Sequence, residues 1–456
     1  MNKPSSPKYQ SMNWVTNYDV KPGTTGMVEL LDSIYRWDEK RKNEQSQISP
    51  FNKLVHVFYK SRQQLLSGAR ELLHEGETNE AIHILEELSD EIVNESDELF
   101  TKYNELLAIA YLRWGEQENC IINHNHNSCI LPIKENGIYA LQDNTRKAIE
   151  VYLKLLNKHP DDWKYRWLIN IAYQTLGEYP SKVPKQWLIQ SELMVDKDSS
   201  DNFKNIAPLL KVDETSGAGG AVLEDFNNDG LLDIMTSGLL STNQLKYYVN
   251  NGKDGFSDQT IPAQLEGLTS GFNIYPLDYN NDGWKDLLVV RGSWGRLNGR
   301  YPNSLLRNNQ DGTFSDITVE AGLLSFMPVA TAVCADFNND GWTDIYIGNE
   351  SVVNTEIEKA NELYINNGKG QFIETSVQSG TDINAFTKGL CAGDYNNDGL
   401  IDLFISNHNG INSLLKNNGN DDKGIPQFVN TTITAGVGNR FLVSLLGFGI
   451  MTTMVG

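Results

Sequence analysis

The sequence predicts an α+β multidomain chain: an N-terminal α-helical repeat domain, then an all-β propeller of at least four blades, truncated at its C-terminal end. Three observations carry this. Hydrophobic periodicity is helical from about residue 61 to 180, then changes after about 200 to short β-branched and aromatic runs broken by Asn, Asp and Gly. One nine-residue pattern, D-[FY]-N-N-D-G-x-x-D, starts at Asp225, Asp278, Asp336 and Asp394. A second marker, Phe203, Phe256, Phe314, Phe372 and Phe428, keeps step with it. Self-similarity at such a period means stacked supersecondary units.

Residues 1–60 read as a polar, partly helical tail, with one helix expected over Met27–Arg41. No signal peptide is seen there, because no apolar core follows the start. No run of 18 apolar residues marks a transmembrane segment. Residues 61–195 read as helical hairpins. One unit carries Ala69, Gly76 and Ala81; the next carries Ala108, Tyr111, Gly115, Ala148, Tyr152 and Pro160; the last carries Tyr173, Leu176, Gly177 and Tyr179. A small residue where helices cross, a Gly at the turn and a closing Pro resemble the tetratricopeptide repeat, which implies a solenoid offering a groove to a partner. The middle unit departs from the pattern: Gly115 is expected at its turn, followed by an insertion over 116–143. That insertion holds Cys120, His124, His126 and Cys129. A Cys120–Cys129 disulfide would pin it; the same thiolates with two imidazoles would suit Zn²⁺ or Cu⁺; unpaired structural thiols are the third reading.

From residue 200 to 456 the repeated loop governs the reading. Oxygen side chains stand at positions 1, 3, 5 and 9: Asp225, Asn227, Asp229, Asp233; Asp278, Asn280, Asp282, Asp286; Asp336, Asn338, Asp340, Asp344; Asp394, Asn396, Asp398, Asp402. Position 7, which is Leu231, Trp284, Trp342 and Leu400, is expected to add a backbone carbonyl. Gly at position 6 permits the sharp turn. This is the all-oxygen, flexible donor set Ca²⁺ requires, one ion per loop. An EF-hand is excluded, since position 12 is Thr236, Val289, Ile347 and Ile405 instead of Glu, and a strand pattern follows each loop. Between the markers come strands ending in Asn-Asn, so each unit has the content of one blade. These loops, with the F-x-[DEN]-x-[TS] marker, resemble the FG-GAP/VCBS repeats of integrin α-like propellers. Together with the helical repeats and the cysteine insertion they resemble bacterial proteins of the ASPIC/UnbV-associated type, without the tail. The resemblance implies structural calcium, a non-enzymatic interaction role and an extracytoplasmic setting.

After Phe428 a fifth loop is due near residue 450, where the chain reads G-I-M-T-T-M-V-G. A shifted reading frame can spell D-Y-D-N-D-G-W there, which is the ground for expecting a truncated propeller. The alternative is a closed five-bladed disc using Phe203. The formal charge of −21 opposes nucleic-acid binding. No nucleophile elbow, phosphate loop or H-E-x-x-H motif occurs. The expected ligand-binding candidate is the basic loop with Arg291, Trp294, Arg296 and Arg300, suited to a glycan or carboxylate; its plain alternative is a blade connector. The functional expectation is a calcium-stabilised binding protein docking protein or glycan partners. The alternative is a lyase or hydrolase built on a propeller.

Overall fold

A computed structural model describes residues 12–46, 62–75, 77–89, 97–123, 133, 135–190, 206–214 and 219–438, apart from 294, 296, 297, 353, 354, 356 and 409. The chain divides into two compact units, Lys42–Lys204 and Met1–Arg41 with Asn205–Gly456. The C-terminal stretch discussed above, Phe203, and the thiol and imidazoles of Cys129, His124 and His126 lie outside the described residues.

The first unit is helical. α2 (Arg62–Glu75), α3 (Thr78–Glu87), α4 (Asp97–Asn123), α5 (Asp143–Lys158) and α6 (Trp163–Thr175) each pack on the next. Ala69, Ala81, Ala108, Ala148 and Ala172 are wholly buried, one on each helix. Gly115 is not at a turn. α4 continues through it to Asn123, and a Cβ at Gly115 would lie 2.6 Å from Thr145 Oγ1 on α5. Its missing side chain serves close helix approach, which sequence spacing alone does not separate from turn formation. Cys120 therefore lies in the last turn of α4. Asp162 caps α6, accepting from Lys164 N at 2.8 Å, and the segment after α6 returns over it, Asn170 Nδ2 donating to Trp187 O at 2.8 Å.

The second unit holds four antiparallel four-stranded sheets, each a meander in chain order. Sheet 1 is β1 (Ala221–Glu224), β2 (Asp233–Thr236), β3 (Lys246–Asn250) and β4 (Phe256–Asp258). Sheet 2 is β5 (Asn273–Leu277), β6 (Asp286–Val290), β7 (Ser304–Asn308) and β8 (Phe314–Asp316). Sheet 3 is β9 (Val329–Ala335), β10 (Asp344–Asn349), β11 (Glu362–Asn366) and β12 (Phe372–Glu374). Sheet 4 is β13 (Thr387–Gly393), β14 (Asp402–Asn407), β15 (Ser413–Asn420) and β16 (Pro426–Asn430). The first strands β1, β5, β9 and β13 adjoin one another in that order. β6, β10 and β14 are buried at every position; sheets lie on both faces of β6 and β10, which belong to the two middle sheets of the row.

Aromatic pairs set the sheets face to face. The second residue of each of the first three loops meets the marker Phe of the next sheet: Phe226 with Phe314 at 6.0 Å, Tyr279 with Phe372 at 6.3 Å, Phe337 with Phe428 at 6.1 Å. Loop and marker keep one period because they are two halves of each inter-sheet contact. The rest of the marker closes the sheet. In F-x-[DEN]-x-[TS] the acid or amide accepts from the backbone two residues on, as Asp316 Oδ1 does from Thr318 N at 3.0 Å. The hydroxyl then accepts from the third strand, Leu305 N to Thr318 Oγ1 at 2.8 Å, and the same bond forms at Thr260, Ser376 and Thr432.

The N-terminal segment is part of this β unit. α1 spans Gly23–Ser46, longer than expected, and buries Met27, Leu30, Leu31 and Ile34, an i, i+3, i+4, i+7 stripe. The stripe shares one core with Leu265, Leu268, Leu306 and Phe314. Thr24 Oγ1 also accepts from Asp316 N at 2.9 Å. The tail reading followed the abundant polar residues and missed that a narrow apolar stripe suffices to dock a helix.

Candidate functional site

Each repeated loop joins the first strand of a sheet to the second, and the four are built alike. The position-1 carboxylate accepts from the N–H groups of positions 5 and 6. In the first loop Asp225 takes Asp229 N at 3.1 Å and Gly230 N at 2.8 Å. Asp278, Asp336 and Asp394 repeat this. The position-3 amide oxygen converges on the same position-5 N–H, from Asn227 at 3.0 Å, Asn280 at 3.3 Å, Asn338 at 3.2 Å and Asn396 at 2.9 Å. Asp229, Asp282, Asp340 and Asp398 at position 5 hold the N–H of Leu231, Trp284, Trp342 and Leu400 at position 7. Gly230, Gly283, Gly341 and Gly399 have φ from +83° to +87°, which no other residue adopts without strain.

Position 9 behaves differently. Asp233, Asp286, Asp344 and Asp402 are wholly buried. One oxygen accepts from the loop's second residue and the other from the third strand, as in Asp344 with Phe337 N at 2.9 Å and Asn366 N at 2.8 Å. These carboxylates stitch loop to sheet, a duty the sequence pattern did not reveal. Burial pushes Asp286 and Asp344 up to about 7, and the negative charges at positions 5 and 1 push the same way.

The donors fit a hard, oxygen-ligated divalent cation. Oxygens of positions 1 and 3 share one N–H, and the position-9 carboxylates of loops 2 and 3 feel the charges of positions 1 and 5. Among the described residues no three Asp, Glu, His or Cys side chains gather as a metal cage. The loops would instead rely on an Asn and a carbonyl beside their acids.

The basic loop departs from its expected role. Arg291 is wholly buried, its guanidinium donating to Thr269 O, Pro302 O and Ser304 Oγ at 2.7–3.0 Å. Arg300 is only 9% exposed. Arg291 is thus used inside the fold, where it ties the carbonyls of two connectors. Trp294 and Arg296 lie outside the described residues. Beside this loop, Lys388 of β13 contacts Glu350 and donates to Ser293 Oγ at 3.1 Å, while Ser293 donates to Glu350 Oε1 at 2.6 Å. That buried cluster, which sequence reading missed, joins sheets 2, 3 and 4.

Two sets of asparagines were also missed, although their repetition was visible. Position-4 Asn228, Asn281 and Asn339, all in the left-handed region, donate to the carbonyls of Gly283, Gly341 and Gly399 in the following loop at 3.3, 2.8 and 3.1 Å. An asparagine of the third strand, Asn308, Asn366 or Asn417, donates backward to the preceding loop at Phe226 O, Tyr279 O or Phe337 O, each at 2.7–2.8 Å. The same amides also donate to their own loop at position 8.

The profile of the FG-GAP-like repeat family matches residues 225–289, 290–347 and 336–405. Cartilage acidic protein 1 of Mus musculus is 22% identical over 224 residues, covering 44% of this chain and 33% of that protein. The Homo sapiens protein of the same name is 22% identical, covering 44% of this chain and 32% of its own length. The match thus spans about a third of these relatives. The stretch that the family profile matches, residues 225–405, takes in the four repeated loops described above, and it consists of FG-GAP-like repeats.

Proposed function

We propose that this protein is a calcium-stabilised, non-enzymatic binding module. Its sheets form blades of a propeller, and its helices form a tetratricopeptide-like scaffold. The two surfaces dock protein or glycan partners outside the cytoplasm. The observation that carries this reading is the loop geometry repeated four times, with acids, amide and turn glycine in one arrangement. Ca²⁺ bound there would neutralise converging carboxylates and supply the cross-link; the chain's own residues orient the oxygens and fix the loop to its sheet. Loops of modest affinity fill where calcium is abundant, which supports an extracytoplasmic setting. The relatives' name, with its reference to cartilage and acidity, agrees with both points. Among the described residues no helix is long and apolar enough to cross a membrane. The lyase or hydrolase alternative finds less support, since Arg291 and Arg300, two of the cations it would draw on, are buried.

Thermal unfolding in millimolar Ca²⁺ and in a chelator tests this. Saturation of a single loop at 100 times its Kd adds about 2.7 kcal/mol, or roughly 5–10 °C for a domain of this size. Equal melting temperatures in the two solutions would remove the calcium reading. A glycan array probed in both solutions, with product analysis of hits, distinguishes binding from turnover.

A further inference from the structure

The four loops are not independent. Position 4 lies between two expected ligands, positions 3 and 5. Position 6 lies between positions 5 and 7. The Asn amide of one loop reaches the Gly carbonyl of the next, so each bond connects the ligand-bearing backbone of one site to that of its neighbour. A second tie runs in parallel. Asn308, Asn366 and Asn417 grip the position-2 carbonyl of the preceding loop, while their own N–H groups bind the position-9 carboxylate of the following one. Both ends of these ties belong to the candidate cation sites, and the wiring is the same at all three junctions.

We infer that Asn228, Asn281 and Asn339 relay occupancy from loop to loop, so that cations bind the row cooperatively. This rests on the calcium reading above. An ion that fixes positions 3 and 5 also fixes the amide at position 4. That amide then holds the Gly carbonyl of the next loop, and with it the peptide between the next loop's positions 5 and 7. The second ion meets a loop already partly ordered, and the ordering cost it saves is the coupling. One net hydrogen bond per junction corresponds to about a 2- to 10-fold change in affinity of the neighbouring loop.

The sequence supplies its own probes. Trp284 and Trp342 stand at position 7 of loops 2 and 3, where Leu231 and Leu400 stand in loops 1 and 4. Indole-sensitised Tb³⁺ luminescence therefore reports loops 2 and 3, and calorimetric titration with Ca²⁺ reports all four. Asn281→Gly keeps the left-handed backbone (φ +53°) and removes the amide that joins those two loops. Asn397→Gly is the internal control: it has the same loop position and the same backbone (φ +59°), but among the described residues its amide reaches no following loop. The wild-type Tb³⁺ curve should be steeper than a single-site isotherm. Asn281→Gly should flatten it and weaken the indole-reported affinity about 2- to 10-fold, whereas Asn397→Gly should leave the loop 2 and 3 signal unchanged. Should Asn281→Gly lose its fold by circular dichroism, Asn339→Gly tests the next junction, and the wild-type curve remains informative by itself. A wild-type curve fitted by independent sites, or superimposable curves for wild type and Asn281→Gly, would overturn the relay and leave calcium binding standing. Absence of Ca²⁺ heat and of Tb³⁺ luminescence in the wild type would overturn the calcium reading, and the relay with it.

Discussion

At the scale of residues, the repeat is held by polar side chains that satisfy backbone groups across sheet boundaries. Asn366 shows how much one residue carries. Its amide serves Tyr279 O and Thr343 O, and its N–H serves Asp344. Asn366→Ala strands two carbonyls and should cost about 2–3 kcal/mol in urea unfolding. Asn250→Ala, at the equivalent place in sheet 1, removes exposed bonds to Leu232 O and from Gly252 N but none to a preceding loop, and should cost under about 1 kcal/mol. Equal costs would show that the bond to the preceding loop contributes nothing. Lys388 gives a pH-dependent case. Burial depresses its ammonium to about 8, against the pull of Glu350, from 10.5 in the unfolded chain. Between those values the unfolded chain binds the extra proton, so stability contributed by this group rises with pH from about 8 to 10.5. The difference in unfolding free energy between wild type and a Lys388→Met, Glu350→Gln double variant should climb over that window. A flat difference would mean that the lysine is not desolvated.

At the scale of elements, α1 decides what counts as the β unit. Leu30 and Ile34 are wholly buried against residues of sheets 1 and 2 and their connector. Leu30→Ala should cost about 2–5 kcal/mol, as core truncations do, and the loss should appear in the unfolding of the sheets. A loss confined to the helical unit, read from far-ultraviolet circular dichroism at 222 nm, would contradict the placement of α1. The loops and marker strands are a different kind of element. They work as pairs, Phe226 with Phe314 and Phe337 with Phe428, so one sheet buries its faces only beside another. This explains why the short strands β8 and β12, of three residues each and carrying Phe314 and Phe372, are stable at all.

At the scale of the molecule, 12 of the 59 acidic residues stand in the four loops, and one divalent ion in each would bring the formal charge from −21 to about −13. The sequence by itself determined the order of a helical region and a β region, the four loops and the strand content of each repeat. These are local properties, carried by period, turn glycines and oxygen spacing, and a nine-residue pattern holds all the information its turn needs. It did not determine that α1 joins the sheets, that Gly115 lies inside a helix, that Arg291 is buried, or that the position-9 carboxylates stitch loop to strand. Asn281 was legible only as part of a motif, because its partner is 60 residues away. Those outcomes were decided by tertiary structure. A buried polar group must find a partner, and where the nearest one comes from another repeat, no window along the chain contains both.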